Sequence, residues 1–405
     1  MKSLQTLLLS AAFTAALIFA AVPRQVAWSQ DSPWPTDGWA VSTPDDVGLN
    51  GSPIERLIEG IGAGSFGFVD RLVVVKNGRL IVDEYWEHDY RQISRHRRSP
   101  LGCGWESCPD DEASADAYNY LHPNTHPYYH GSDVHSLQSI TKSIASTVIG
   151  VAIQRGEIEG VGVPLLTFFD GFGLDGVDPR LHDATLEDLL TMRSGIEWHE
   201  QDRPLDETNT TLQLERSEDW IRFTLDQPMD AAPGTKWVYN SGGSHLMSGV
   251  IRGATGQFID EYAERYLFGP LGISEYHWKK TPTGYPDTEG GLYLEAQDLA
   301  RIGLLYLRGG IWDDRQIVDP DYIDRATARH VEAVNGAGWG YGYQWWRVDR
   351  DGVEAWAGLG FGGQYLLILP AHDLVGVVNS WNLFDRPDRN IMSAFVTALI
   401  ESASD

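Results

Sequence analysis

The alternation of apolar and polar residues predicts β-strands at both ends of the chain. The stretch LVVVKNGRLIVDEYW, from residue 72, has apolar runs on both sides of Asn77-Gly78, a dipeptide typical of two-residue hairpin turns. Near the C-terminus, four apolar runs separated by turn residues predict further strands: YGYQWWRV from 341, VEAWAGLG from 353, QYLLILP from 364 and LVGVVNS from 374. A final helix is predicted from about Asn390 to Ser402.

Helical spacing dominates between these strands. From Ser139 to Arg155 apolar residues recur every three or four positions, and Gly156 ends the pattern. The pattern predicts an α+β fold, an antiparallel β-sheet flanked by helices, with a mostly helical lobe inserted at about residues 155–330. The domain is predicted to cover residues 46–403, after an irregular lead-in over residues 30–45.

Candidate chemistry is concentrated at Ser139 and Lys142. Only six of the 31 basic residues are Lys, and no other Ser has a Lys three positions later. A neutral amine can take the proton that a Ser hydroxyl must lose to become a nucleophile, whereas a guanidinium cannot. Both residues fall in the first helical turn, whose positive potential is expected to lower the pKa of Lys142. An isolated S-x-x-K is more often a helix cap beside a solvated lysine, so other motifs are needed to identify Ser139 and Lys142 as a catalytic pair.

Two other segments have the pattern of a site. Tyr239-Asn240-Ser241 ends a short strand-like run, and an apolar helical pattern begins after Gly242-Gly243. The segment AWAGLGFGGQYLLILP, from residue 355, concentrates glycine where an apolar strand begins. Glycine at such a place allows backbone N–H groups to come close to a ligand.

With these motifs in this order, the chain resembles the serine β-lactamase and penicillin-binding-protein-like superfamily over roughly residues 40–400. The resemblance is to the esterase and amidase branch around class C β-lactamases, which includes the nylon-oligomer hydrolases. The first family motif, S-x-x-K, falls on Ser139 and Lys142. The second, Y-x-N or Y-x-S, falls on Tyr239 and Ser241. The resemblance implies the β-lactamase/transpeptidase-like fold.

The resemblance also implies a role for each catalytic residue. Ser139 is expected to attack a carbonyl carbon and form an acyl-enzyme, while Lys142 and Tyr239 share the work of general base and acid. Which of the two takes the serine proton stays open. The backbone N–H groups of Ser139 and Phe361 are expected to hold the oxyanion.

The third family motif, K-T-G or H-x-G, is relaxed in this chain. Gly358 and Leu359 stand where the family has the residues that receive a substrate carboxylate, and Ser241 replaces Asn. These departures argue against β-lactam hydrolysis and favour an esterase or amidase. The residues expected to bind substrate are Asn240, Ser241, Gly358, Leu359, Gly360 and Gly362.

The sequence therefore predicts an exported serine hydrolase that cleaves a small-molecule ester or amide without a cofactor. The alternative is a catalytically weak penicillin-binding-like sensor or peptide-binding protein. A third interpretation is a zinc hydrolase, because His122, His126, His130 and His135 are close in sequence, but two prolines between them break the helix that would align these side chains. No metal site is expected.

The N-terminus has the pattern of an export signal over residues 1–29. Lys2 precedes an apolar run from Leu7 to Val22 that includes small residues, which predicts a periplasmic or secreted protein, an uncleaved anchor being the alternative. An inserted loop is predicted at about residues 87–133. It contains Cys103 and Cys108, which export would join in a disulfide.

The composition excludes some partners. A formal net charge of −26 argues against binding to nucleic acid or to anionic membrane surfaces. No obligate membrane partner is expected, and the sequence does not determine the oligomeric state.

Overall fold

The computed structural model describes residues 34–96, 98–99, 102–103, 131–334, 339–383 and 388–403. The predicted export signal lies outside these residues, as does Cys108 of the predicted disulfide, and both stay predictions. None of the described helices combines the length and apolar character needed to cross a membrane.

The chain folds into strands and helices with the following bounds. The strands are β1 (Val69–Lys76), β2 (Arg79–Tyr85), β3 (Arg98–Ser99), β4 (Gly102–Cys103), β5 (His135–Ser136), β6 (His277–Trp278), β7 (Leu292–Leu294), β8 (Ile311–Trp312), β9 (Arg315–Gln316), β10 (Val331–Val334), β11 (Trp339–Tyr341), β12 (Trp346–Arg350), β13 (Val353–Gly360), β14 (Gln364–Leu369) and β15 (Leu374–Ser380). The α-helices are α1 (Ser52–Gly62), α2 (Tyr90–Ser94), α3 (Ile140–Gln154), α4 (Leu186–Leu190), α5 (Thr210–Glu215), α6 (Trp220–Leu225), α7 (Ser241–Thr255), α8 (Ile259–Ala263), α9 (Ala296–Leu307), α10 (Pro320–Ala326) and α11 (Asp388–Ala403). Short 3-10 turns cover Pro35–Asp37, Asp45–Val47, Leu165–Phe172, Leu174–Gly176, Pro179–Asp183 and Pro370–His372, and one π turn covers Glu264–Phe268.

Strands from both ends of the chain form one antiparallel sheet, as predicted. Its order is β10-β11-β12-β13-β14-β15-β1-β2, so the N-terminal hairpin adds to the C-terminal strands. Asn77 and Gly78 both have positive φ, at 53° and 72°, which is the backbone that a two-residue hairpin turn requires. A smaller sheet has the order β5-β7-β6 and leads into α3. The bounds of the helical lobe, at about residues 155–330, stay a prediction.

The central strands β1, β14 and β15 of the large sheet are buried on both faces. Val73 and Val75 of β1 belong to the core that includes α3 and α9, whereas Leu72 and Val74 belong to the core that includes α1 and α11. Alternate side chains of a strand point to opposite faces, so the continuous apolar run in β1 reflects helices on both sides of the sheet. On the α3 side, every residue from Ile140 to Ala152 is buried.

The prediction of a single strand over YGYQWWRV is wrong, because two strands joined by a turn cover these residues. β11 ends at Tyr341 and β12 begins at Trp346, and these two residues pair across the turn. Gln344 has φ 63°, and its backbone N–H donates to the Leu190 carbonyl. These contacts with another part of the chain override the local alternation, which carries no information about them.

His245, on α7, is expected to make the fold sensitive to acid. Its side chain is fully buried against Trp220, and neither ring nitrogen has a hydrogen-bond partner in the part of the chain that the structure describes. Burial lowers the pKa of His245 to about 3. Below pH 6.5 the unfolded chain binds a proton that the folded chain does not, so stability falls as the pH falls.

We expect His245→Leu to reduce the stability lost between pH 7 and pH 5 by about 2 kcal/mol. Urea unfolding at the two pH values measures this loss. The exposed His182, changed to Gln, is the control and should leave the loss unchanged. Equal losses in wild type and His245→Leu would show that the ring titrates normally in the folded protein.

Candidate active site

A tight turn brings Ser139 from β5 to the start of α3. Gln138 has φ 49°, an uncommon value for a residue with a side chain, and its amide donates to the Ser136 hydroxyl at 3.0 Å. Ser139 stands at the N-cap position, but its side chain makes no capping hydrogen bond. The hydroxyl is therefore available for chemistry rather than used to begin the helix.

Lys142 lies one turn further along α3 with its side chain 1% exposed. Its Nζ is 3.0 Å from Ser139 Oγ, 2.6 Å from the Glu289 carbonyl oxygen and 3.4 Å from Glu289 Oε2. These three acceptors match the three hydrogens of an ammonium group, which has no lone pair to accept with. The helical spacing of Ser139 and Lys142 therefore brings the two side chains together, as predicted.

The prediction that the pKa of Lys142 is lowered is wrong. Burial lowers this pKa, but the negative groups around Nζ outweigh it, and the net effect raises the pKa of Lys142 above its usual value. The largest of these contributions is that of Tyr239 when its hydroxyl is ionised, followed by those of the Glu289, Glu200 and Asp287 carboxyl groups. The first-turn potential is worth only about 1 kcal/mol and does not compete with several nearby charges.

Glu200 and Glu289 are site residues that the sequence does not reveal. Glu200 Oε1 accepts a hydrogen bond from the Ser241 hydroxyl at 2.9 Å, and Oε2 accepts from the Ser241 N–H at 3.0 Å. Burial raises the pKa of Glu200. Glu289 is held by Asp287, whose Oδ1 accepts the backbone N–H groups of Glu289 and Gly290 at 2.8 Å and 3.1 Å. Glu289 lies 147 positions from Lys142 along the chain, so no local pattern connects them.

Tyr239 lies beside the Ser139–Lys142 pair. Lys142 Nζ is 5.2 Å from the centroid of the Tyr239 ring, which stacks on Trp346 at 5.9 Å. Burial raises the pKa of Tyr239, while the Lys142 charge and a hydrogen bond with the Ser139 side chain act in the opposite direction. The three predicted catalytic side chains are therefore within reach of one another.

The segment around Asn240 differs from its prediction. Tyr239 precedes α7 without belonging to a strand, and α7 begins at Ser241, before the two glycines. Asn240 caps this helix by accepting the Gly243 N–H at 2.6 Å. A Cβ on Gly242 would lie 2.4 Å from the Trp198 ring, so glycine here permits close packing and does not end a strand. The Asn240 side chain is thus engaged by Gly243, and the Ser241 side chain is engaged by Glu200.

The third motif runs directly past the start of α3. A Cβ on Gly358 would lie 3.0 Å from the Ile140 side chain, and one on Gly360 would lie 2.3 Å from the Leu137 carbonyl oxygen. The glycines of β13 therefore let this strand approach the residues on both sides of Ser139. Leu359 packs with the core on the opposite side of the sheet, and the Phe361 ring packs in a small aromatic cluster. The oxyanion role of the Ser139 and Phe361 N–H groups stays a prediction, and so does substrate binding at Gly362, which has φ 80°.

Of the four histidines considered as metal ligands, the structure describes only His135. His135 Nε2 is 2.8 Å from Asp70 Oδ2, and its Nδ1 is 3.0 Å from the Ser136 carbonyl oxygen. His122, His126 and His130 lie outside the described residues. Among the residues that are described, no group of three or more His, Cys, Asp or Glu side chains could hold a metal ion.

Comparisons with known proteins agree with this fold and these motifs. The 6-aminohexanoate-dimer hydrolase of Paenarthrobacter ureafaciens is 26% identical over 267 residues, which are 62% of this chain and 67% of that protein. A solved structure from Bacillus anthracis, assigned as a 6-aminohexanoate-dimer hydrolase, has a TM-score of 0.66 at 20% identity and covers 91% of this chain and 89% of its own. A D-stereospecific amidohydrolase from Streptomyces sp. has a TM-score of 0.50 at 18% identity, covering 68% of this chain and 87% of its own.

At these identities, the structural likenesses show the fold alone. The family itself is shown by a model named Beta-lactamase, which matches residues 54–398 and so spans most of the sequence. The chain therefore belongs to the beta-lactamase family of hydrolases and has the fold of serine β-lactamases and penicillin-binding proteins.

Proposed function

We propose that this protein is a serine hydrolase that cleaves an ester or amide bond through an acyl-enzyme on Ser139. The observation that carries the proposal is the 3.0 Å contact between Lys142 Nζ and Ser139 Oγ, with the Tyr239 ring centroid 5.2 Å from the same Nζ. In the first step Ser139 Oγ bonds to the carbonyl carbon, and the alcohol or amine leaves with a proton. In the second step water attacks the acyl-enzyme and releases the acid.

Tyr239 is the better candidate to accept the serine proton. Lys142 directs its three hydrogens at Ser139 and Glu289 and has no free lone pair while it is an ammonium. Since Ser139 Oγ accepts from Lys142, its own hydrogen is left to donate toward Tyr239. A Tyr239 phenolate takes that proton under the stabilising charge of Lys142 and then returns it to the leaving group.

The third motif supports an ester or amide substrate that needs no carboxylate group in order to bind. Gly358 and Leu359 supply no positive charge where relatives with a K-T-G motif have a lysine. The name of the Paenarthrobacter relative, a 6-aminohexanoate-dimer hydrolase, favours an amide bond as the one that is cleaved. Simple esters are more reactive than such amides, so an acyl-enzyme mechanism predicts turnover of both, with esters faster.

The activity is expected to rise with pH through the alkaline range. The pKa of Lys142 and that of Tyr239 are both raised, so the form in which Tyr239 lacks its proton is scarce at neutral pH. A profile of kcat/KM between about pH 6 and pH 10 should climb without a plateau near neutrality.

Asp287 provides the control for this profile. Burial and the Glu289 charge raise the pKa of Asp287 to about 7. Asp287→Asn retains the oxygen that accepts the Glu289 and Gly290 N–H groups, so the profile should keep its shape. An inflection near pH 7 that disappears in Asp287→Asn would assign the governing titration to this carboxyl and contradict the role of Tyr239.

The proposed function is tested with p-nitrophenyl esters of short and long acids, a p-nitroanilide and nitrocefin. We expect steady turnover of the esters, slower turnover of the anilide and little turnover of nitrocefin. Mass spectrometry of acid-quenched enzyme should find the acyl group on the peptide that contains Ser139. One equivalent of product followed by a stable adduct would instead identify the penicillin-binding-like sensor. Failure to form any adduct would reject both functions.

A further inference from the structure

A buried glutamine, Gln344, lies between the chain segments that carry Ser139, Lys142 and Tyr239. It is 2% exposed and stands in the turn between β11 and β12, with φ 63°. This left-handed backbone costs free energy at a residue other than glycine, and the contacts of the Gln344 side chain offset that cost. No step of the proposed mechanism uses this side chain, so its contacts point to a different role.

Each polar atom of the Gln344 amide has a partner. Nε2 donates to the Leu189 carbonyl oxygen at 3.2 Å and to the Leu190 carbonyl oxygen at 3.0 Å. Carbonyl oxygens accept from the NH₂ end of an amide alone, so these two contacts fix the amide orientation and turn Oε1 toward α7. There Oε1 accepts from the Ser244 hydroxyl at 2.8 Å. The side chain therefore joins the end of α4 to the first turn of α7.

The α4 attachment leads to the residue before Tyr239. The Leu189 carbonyl oxygen, which accepts from Gln344, also accepts the Met192 N–H at 3.0 Å. The Met192 carbonyl oxygen in turn accepts the Val238 N–H at 3.0 Å. Three successive hydrogen bonds thus connect the Gln344 amide to the chain that enters the Tyr239 position.

The α7 attachment leads to the residue after Tyr239. Ser244, whose hydroxyl donates to Gln344, also donates its N–H to the Asn240 carbonyl oxygen at 3.1 Å. Trp346, two residues beyond Gln344, stacks on the Tyr239 ring at 5.9 Å between centroids. The chain on both sides of Tyr239, and the face of its ring, are therefore connected to the same turn.

This turn is also attached to the helix that carries the nucleophile. The Ser143 hydroxyl donates to the Gln344 carbonyl oxygen at 2.6 Å, and the Ser146 hydroxyl donates to the Tyr343 carbonyl oxygen at 2.7 Å. Ser143 follows Lys142 directly on α3. Because two hydroxyls share this attachment, the loss of one leaves the other in place.

We propose that Gln344 is a positioning residue that holds Tyr239 beside the Ser139–Lys142 pair. Its backbone is fixed to α3, and its amide is fixed to the chain before and after Tyr239. Proton transfer requires the two groups to be within hydrogen-bond reach, and a misplacement of about 1 Å costs about 10²-fold in rate. The inference rests on the proposed function, because it is the acyl-enzyme mechanism that gives Tyr239 a proton to accept.

A cycle of two substitutions tests whether Gln344 acts through Tyr239. Gln344→Met keeps the approximate size of the side chain and removes its three amide hydrogen bonds. With a p-nitrophenyl ester it should lower kcat about 10-fold to 100-fold and change KM less than about threefold. In a Tyr239→Phe background there is no hydroxyl to misplace, so the same substitution should lower kcat less than about threefold. Equal losses in the two backgrounds would overturn the proposal, because Gln344 would then support the site as a whole.

Gln316 provides the matched control. Its Nε2 also donates to two carbonyl oxygens, those of Gly309 and Val318. A Cβ on Gly150 would lie 2.7 Å from the Val318 side chain, which places this glutamine near the end of α3 that is far from Ser139. Gln316→Met should lower the free energy of unfolding and leave kcat and KM as in wild type. A fall in kcat as large as that of Gln344→Met would attribute both losses to reduced stability and overturn the proposal.

Ser244→Ala decides the question if Gln344→Met does not fold. It removes the one hydroxyl that donates to Gln344 Oε1 and leaves the rest of the turn intact. We expect kcat to fall about threefold to tenfold when Tyr239 is present and to change less than about twofold in Tyr239→Phe. An unchanged kcat in Ser244→Ala would overturn the proposal.

Crystal structures of the wild type and of the folded variant separate this inference from the proposed function. The centroid of the Tyr239 ring lies 5.2 Å from Lys142 Nζ and should move by more than about 0.5 Å relative to α3 in the variant. This displacement does not depend on turnover. If the wild type formed no acyl adduct but the ring moved, the proposed function would fail and the positioning role of Gln344 would stand. A ring that kept its place would overturn the positioning role, whatever the wild type catalyses.

Discussion

Ser139→Ala is expected to lower kcat/KM for p-nitrophenyl esters by about 10⁴-fold to 10⁶-fold and to abolish the acyl-enzyme. The substitution removes the only atom that bonds to the substrate carbonyl in the proposed mechanism. It should change the free energy of unfolding little, because the Ser139 hydroxyl neither caps α3 nor fills a core position. Steady-state kinetics, mass spectrometry of quenched enzyme and urea unfolding measure these three effects.

Ser143 provides a matched control on the next turn of the same helix. Its hydroxyl is buried and donates to the Gln344 carbonyl oxygen at 2.6 Å. Ser143→Ala should therefore cost about 1 kcal/mol of stability and leave kcat/KM within a few-fold of wild type. If Ser139→Ala kept more than a tenth of the wild-type activity, another residue would be the nucleophile and the acyl-enzyme mechanism would be wrong.

The sequence predicts those parts of the fold whose signals are local. Asn77-Gly78 determines a hairpin turn by its backbone preferences alone, and the apolar spacing after Ser139 determines α3. The final helix, predicted from about Asn390, is also confirmed, since α11 covers Asp388–Ala403. The strand predicted across Gln344 is wrong because a long-range contact with Leu190 determines that turn.

The same division applies to the site. Ser139 and Lys142 are predicted from their spacing, and Tyr239 from its motif, because each lies in a short recognisable pattern. Glu200 and Glu289 come from distant loops, and only the folded chain brings them to Lys142. The error in the pKa of Lys142 follows from this: the helix potential is visible in the sequence, whereas the carboxylates that outweigh it are not.

Lys142→Met is expected to lower kcat/KM by about 10³-fold or more and to destabilise the fold at neutral and alkaline pH. Without the ammonium group, Ser139 loses a hydrogen-bond donor and a Tyr239 phenolate loses its stabilising charge. The buried Glu289 carboxylate loses its partner as well, and breaking a buried ion pair from one side costs about 3–5 kcal/mol. Steady-state kinetics and urea unfolding at pH 8 measure the two losses.

A second substitution distinguishes the effect of Lys142 on the charge balance at Glu289 from its effect on catalysis. In Lys142→Met the Glu289 carboxyl group becomes harder to ionise in the folded chain than in the unfolded chain, so the unfolding free energy should fall as the pH rises from 5 to 8. Lys142→Met/Glu289→Gln removes that charge and should recover at least half of the stability lost at pH 8, while kcat/KM stays about 10³-fold below wild type. A double variant no more stable than Lys142→Met would show that Glu289 does not depend on the lysine charge. Recovery of activity together with stability would show that Lys142 serves the fold and not the reaction.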